Sequence, residues 1–325
     1  MVRSINNNRG NKSGSKSYGG RNSRDVRQSS RDRRYVSSGR NYMREKRSSG
    51  NFSRKNAEGK NGVKALQDDL CWGRNPVLTL LQERPGLCGK IYLLETIEDE
   101  DFKDTVARAC IDNDIPLVFL ERPELDELTL GANNQGVAAV IKPIPTAELE
   151  EIVSALPPEK PALVVIMDHC QDPHNLGAVI RTAEIAGAAC VVCQRNRSAT
   201  VNGTVVKTSA GAAFRLPVAQ VTNVNRAIQL LKDKGFWVVG LDHRTDENIW
   251  DSHLPDRLAL VVGAEGEGIS ALVAKNCDKL VKIPMVGRTG NLNASVAAAV
   301  GMFEWLRVNG KDFLQEKAEI KEAAD

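Results

Sequence analysis

The 325-residue sequence contains no apolar run of membrane-spanning length and no short apolar core flanked by the marks of a secretory signal. Those absences predict a soluble folded part. Its seven cysteines are odd in number and irregularly spaced. That excludes a disulfide framework and argues for a reducing compartment, the cytoplasm. The single C-x-x-C, Cys190 and Cys193, sits within ACVVC, which reads as a buried strand. No second pair accompanies it, and His169 and His174 do not complete a zinc spacing, so no metal is expected. The sequence also lacks a G-x-G-x-x-G turn and an acidic residue placed to hold a ribose. A nucleotide-cofactor oxidoreductase is therefore disfavoured.

Charge is present in quantity but divided. Residues 1–60 hold 17 Lys and Arg against 4 Asp and Glu, a net of +13. The other 265 residues hold 27 against 37, a net of −10. The first segment is rich in Ser, Asn and Gly and nearly free of aliphatics. It cannot bury enough apolar surface to offset chain entropy, which predicts a disordered basic arm over 1–65. Such an arm attracts phosphate backbones through counterion release. The same composition also suits a solvated tail or a transit peptide.

Beyond the arm, short apolar runs alternate with helical patterns. Strand-like runs at 90–94, 116–120 and 136–141 predict a small α/β domain over 66–145. A helix around Asp104 to Ile111 would turn Val106, Ala109 and Cys110 to one face. A proline-rich stretch with a short helix near Glu148 to Ala155 forms a linker, 146–160. Apolar runs at 163–167, 190–193, 236–239, 258–262 and 280–283 follow. With helices between them, such as Asn225 to Lys234, they predict parallel strands with right-handed crossovers. The resulting domain, 161–310, is an α/β sheet covered by helices on both faces, followed by a tail, 311–325.

Three stretches within that domain are chemically suggestive. In HNLGAVIRTAE, 174–184, Leu176, Val179, Ile180 and Ala183 form a helix core face. Asn175 precedes it as a plausible N-cap, and Arg181 lies off the apolar stripe. VVGAEGEGIS, 261–270, follows a strand directly, and Gly263, Gly266 and Gly268 place backbone where open α/β sheets bind ligands. A plain glycine-rich turn is the alternative. In the third stretch, 283–305, Asn293 and Ser295 stand at the mouth of a helix. Its expected core face is Val296, Ala299, Val300, Phe303 and Leu306, while Ala294, Ala297 and Ala298 offer close helix packing.

Taken together, in this order, the three stretches resemble the signature blocks of the SpoU, or TrmH-like, branch of the SPOUT RNA methyltransferases. DHCQDPHNLGA (168–178), VTNVNRAIQLL (221–231) and GAEGEG (263–268) bring the resemblance closest to its RlmB-type members, which methylate a guanosine ribose 2′-hydroxyl in large-subunit ribosomal RNA. Gly73 to Val77 and Asn134 to Val137 are similar to the family's RNA-binding domain. The resemblance implies a deep trefoil knot holding S-adenosylmethionine, and a homodimer. It places cofactor contacts on Gly263, Ile283 and Leu292, and catalytic or substrate-orienting roles on Asn175, Arg181, Glu265, Asn293 and Ser295. One departure is Asn291, where the family commonly has Ser. A guanidinium keeps its proton at any ordinary pH, so an arginine suits phosphate clamping and alkoxide stabilisation better than proton removal. A tRNA substrate, or a non-catalytic RNA-binding or ribosome-assembly protein on the same fold, is the other reading.

Overall fold

The computed structural model describes residues 69–195, 198–264, 266, 268–288 and 290–311. The basic arm and most of the expected tail lie outside these residues, as does Glu265. Among the described residues, no helix is long and apolar enough to cross a membrane.

The chain builds two sheets. The first is mixed: β1 (Leu70–Trp72), β2 (Cys88–Leu94), β3 (Leu117–Leu120) and β4 (Val137–Ile141), in the order β1-β4-β2-β3. Strand β4 runs antiparallel to β1 and β2, whereas β2 and β3 are parallel. Helices α1 (Arg74–Glu83), α2 (Glu100–Asp112) and α3 (Arg122–Leu128) accompany it. Helix α2 begins where Asp99 accepts a hydrogen bond from the Phe102 amide, and it buries Phe102, Val106 and Cys110.

The second sheet has six parallel strands: β5 (Ala162–Met167), β6 (Cys190–Gln194), β7 (Val218–Val221), β8 (Trp237–Leu241), β9 (Arg257–Val262) and β10 (Lys279–Val281). Their order is β10-β8-β9-β5-β6-β7. Alternate residues of β5 feed opposite cores, since side chains in a strand point to alternating faces. Leu163, Val165 and Met167 join the core under α5 (Pro173–Ile185), α6 (Gly203–Thr208) and α9 (Ala294–Asn309). Ala162, Val164 and Ile166 join the core under α4 (Leu149–Ser154), α7 (Val224–Asp233) and α8 (Ala271–Asn276). The expected linker thus carries a helix, α4, whose Leu149 and Val153 are buried in that second core. The first core is continuous with that of the smaller sheet.

Helix α9 is turned about its axis relative to the sequence-based expectation. Its buried residues are Ala294, Ala298, Gly301, Met302, Glu304 and Trp305, whereas Val296 and Phe303 are 47% and 46% exposed. Space decides this. A Cβ at Gly301 would come within 2.8 Å of Leu260 Cδ2, so only a small-residue face can lie this close to β9. Ala294 and Ala298 therefore pack inside the protomer and cannot also serve a subunit interface. Cys190 and Cys193 are buried strand residues, and burial pushes both thiols up to about 12.

Candidate active site

The carboxyl ends of β8 and β9 and the segment leading into α9 enclose one pocket. Gly263, Ile283 and Leu292 all line it, together with Leu241, Asp242 and Asn291. Leu292 remains 37% exposed. The glycine loop above β9 closes on itself: the Ala264 amide donates to the Gly268 carbonyl at 3.1 Å, and the Gly268 amide donates back at 3.0 Å. A Cβ on Gly263 would overlap the Gly268 backbone. Gly266 and Gly268 have φ of 86° and 69°, where glycine carries no steric penalty.

Beside this pocket, three polar side chains form a continuous chain. Asn293 is the N-cap of α9, and its Oδ1 accepts from the Ser295 amide at 2.9 Å and the Ser295 hydroxyl at 2.6 Å. Its Nδ2 donates to Asn175 Oδ1 at 2.9 Å. The backbone amide can only donate, so it fixes which end of Asn293 faces Ser295 and hence which end faces Asn175. The Ser295 hydroxyl gives its proton to Asn293, leaving lone pairs for an incoming donor. Leu292, Asn293 and Ala294 are consecutive, so pocket wall and polar chain share one stretch of backbone.

Asn175 does not cap α5. Asp172 holds that place, accepting from the His174 amide at 2.9 Å, with Pro173 as the first helical residue. Asn175 falls in the first turn, 8% exposed, with its amide directed to Asn293. Pro173, with its fixed φ and no amide hydrogen, favours this earlier start. Arg181 lies six residues further along α5, about 9 Å along the axis, and is exposed. Among the described residues no hydrogen bond or ion pair holds its guanidinium. Glu184, by contrast, accepts from Arg215 Nε at 2.9 Å. Glu265 is outside the described residues and has no observed place in the site.

Sequence reasoning missed the pair that frames the glycine loop. Asp242, 4% exposed, accepts from Arg244 Nε at 2.8 Å and from Arg244 Nη2 at 2.7 Å. The Arg244 side chain hydrogen-bonded to it holds the Asp242 carboxyl below the usual carboxylate range. Arg244 Nη2 also donates to the Ile269 carbonyl at 2.9 Å, tying the end of β8 to the glycine loop. Asp168 braces the same loop by accepting from the Ser270 amide at 2.9 Å. The buried aspartates ending two strands, within MDHC and LDHR, were the available signal.

Known proteins match both sheets. Residues 162–303 fit the family model described as SpoU rRNA Methylase, and residues 70–147 fit RNA 2′-O ribose methyltransferase substrate binding. A Mycobacterium ulcerans protein called an uncharacterized tRNA/rRNA methyltransferase is 40% identical over 235 residues, 72% of this chain and 76% of its own. A Mycobacterium tuberculosis protein of the same description is 39% identical over 244 residues, 75% and 76% of the two chains. In fold, the chain resembles the SpoU methyltransferase AviRb of Streptomyces viridochromogenes, with TM-score 0.61, 23% identity, and 77% and 92% of the chains covered. An AdoMet-bound rRNA methyltransferase of Sinorhizobium meliloti superposes with TM-score 0.63 at 21% identity, covering 77% and 90%. With relatives this similar over most of its length, the chain belongs to the SpoU family of RNA methylases.

Proposed function

We propose that the protein transfers a methyl group from S-adenosylmethionine to a ribose 2′-hydroxyl of RNA, and that its target is a guanosine of large-subunit ribosomal RNA. The observation that carries this reading is the adjacency of the pocket to the Asn175–Asn293–Ser295 chain.

The pocket residues suit the cofactor. Leu241, Ile283 and Leu292 give apolar walls for a flat base, while Asn291 and the loop backbone give polar partners. None of the described lining residues is Lys or Arg, so no permanently charged side chain there repels a sulfonium. When bound, the cofactor supplies an electrophilic methyl group.

The remaining work falls to side chains. Ser295, its proton directed to Asn293, presents an acceptor for the target hydroxyl. Asn175 and Asn293 hold that acceptor rigidly, which matters because in-line attack needs near-contact distance and alignment. Arg181 is assigned to a phosphate of the target nucleotide, where its planar charge clamps two oxygens and offsets negative charge developing on the ribose. Glu265, within the glycine loop's sequence, is assigned to orienting that arginine or the ribose. The segment 282–293 leaves edge strand β10 and leads to α9, packed over central strand β9, a return path compatible with the proposed trefoil knot.

Incubation with labelled cofactor and ribosomal RNA tests this. Label in an alkali-resistant dinucleotide from the large-subunit RNA is the expected result. Label on a base refutes ribose methylation, and label in tRNA alone moves the substrate. RNA binding without cofactor affinity would favour an assembly role.

A further inference from the structure

The two sheets meet at a tight seam, and one lysine in it has no carboxylate partner among the described residues. A Cβ on Gly203, the first residue of α6, would overlap the Leu70 carbonyl of β1, and one on Gly211 would come within 2.8 Å of Thr79 Cβ on α1. Arg84 Nε reaches across the same seam to the Phe214 carbonyl at 3.2 Å. From α6, Lys207 extends over the smaller sheet until its ammonium occupies the space a Cβ on Gly73 would need. Gly73 has φ of 97° and caps α1, and Gln135 Oε1 beside it accepts from the Arg74 amide at 2.9 Å. Gln135 is itself held at φ of 54°, between Asn134 and Gly136, in a turn where Asn134 Oδ1 accepts from the Gly136 amide at 3.0 Å.

Neighbouring cations are already engaged. Arg74 pairs with Asp99 at 2.6 Å and lies 4.7 Å from the Phe102 ring centroid. Lys142 donates to the Gly86 carbonyl at 2.8 Å. Among the described residues, no carboxylate or carbonyl is hydrogen-bonded to Lys207. Burial already pushes its pKa below the ordinary lysine range. A half-buried ammonium without an anion is unfavourable, and a bound anion would offset that cost. The next residue leads towards the proposed catalytic helix: Thr208 Oγ1 lies 3.3 Å from His174 Nδ1. His174 adjoins Asn175, and Arg181 lies seven residues beyond it, on the same side of α5.

We propose that Lys207 binds a backbone phosphate of the RNA, flanking the nucleotide that is methylated. The seam and the His174–Arg181 side of α5 would then form one track from the smaller sheet to the reacting ribose. This rests on the proposed RNA substrate. It assigns Lys207 to substrate positioning and not to the methyl-transfer step.

Lys207→Met and Lys207→Arg should be compared with the parent protein in the full chain. Binding of a labelled single-stranded RNA oligonucleotide is followed across salt concentrations, with cofactor affinity measured separately without RNA. Loss of one phosphate contact should flatten the log–log salt slope by about 0.7. At low salt, affinity should fall about tenfold, with the kinetic effect on KM for RNA larger than that on kcat. Lys207→Arg should keep the slope, and cofactor affinity and melting temperature should not fall in either variant. An unchanged slope in Lys207→Met overturns the proposal, as does a loss confined to melting temperature and cofactor binding. A parent protein that binds RNA without methylating it removes the enzymatic reading alone, while the slope comparison still decides Lys207. A parent protein that binds no RNA overturns both.

Discussion

Asn293 donates through Nδ2 to Asn175 Oδ1 at 2.9 Å, joining residues 118 positions apart. The bond links the N-terminus of α9 to the first turn of α5. The same Asn293 caps its own helix through Oδ1. One side chain therefore carries a structural duty and a positioning duty, and substitution can separate them.

Asn293→Asp keeps an oxygen for the Ser295 amide but replaces the donor facing Asn175. Folding stability should stay near that of the parent protein while turnover falls by about 100-fold. Asn293→Ala should lose the cap as well and lower stability by about 1 kcal/mol. Urea unfolding and methyl transfer, measured on both variants, check this; equal turnover in the Asp variant would remove Asn175 from the proposed mechanism.

Arg181 is exposed on α5 and lies outside the pocket lining. Arg181→Ala should reduce turnover by about 1,000-fold while leaving cofactor affinity intact. Arg181→Lys should recover little, because an ammonium cannot reproduce the two-pronged guanidinium contact. Single-turnover methyl transfer with calorimetric cofactor binding checks both. Near-normal turnover in Arg181→Ala would refute the assigned role.

The pocket residues should behave in the opposite sense. Gly263→Ala forces a methyl group into the Gly268 backbone, so the loop must open and cofactor binding should be lost. Leu292→Ala only removes an apolar wall and should weaken cofactor binding about tenfold, with RNA affinity retained. Calorimetry with S-adenosylmethionine and a parallel RNA-binding assay distinguish the two sites.

The Asp242–Arg244 pair makes the loop sensitive to acid. Because Arg244 depresses the Asp242 carboxyl in the folded protein, the stabilisation is present above the unfolded-state value. It is lost as pH falls through the lower, folded-state value. Stability and cofactor affinity should therefore persist through the ordinary carboxylate range and decline below it. Asp242→Asn should remove that step from the melting-temperature profile; an unchanged profile would show that the pair does not brace the loop.

The exposed side of α9 suggests how subunits would pair. Val296 and Phe303 are seven residues apart on that side, and Val286 in the preceding loop is fully exposed. In a homodimer built on this face, Phe303→Asp should give a monomer by light scattering and lower activity in step. A monomeric parent protein with full activity would overturn the dimer.

The alternation of short apolar runs with helices was enough to anticipate a parallel sheet covered on both faces, since β5, β6 and β9 are buried along nearly their whole length and read as near-continuous apolar runs. It was weaker for β1 and β7, whose three and four residues carry too little pattern. Asn293 and Ser295 at a helix mouth and the glycines of 263–268 leave local sequence marks, whereas Ile283 and Leu292 carry none and are singled out only through the family resemblance. Which face of α9 is buried was not legible. Val296, Val300 and Phe303 are more hydrophobic than Ala294, Ala298 and Gly301, but closeness to β9 selects small side chains, and only tertiary packing sets that distance. The same limit hid the Asp242–Arg244 brace of the glycine loop and the placement of Lys207 against Gly73, which depend on segments meeting across a loop or across the seam. The cap of α5 is local by contrast, marked by Asp172 immediately before Pro173. Sequence determined the residue chemistry and the periodicity; the three-dimensional approach of distant segments decided which groups became neighbours.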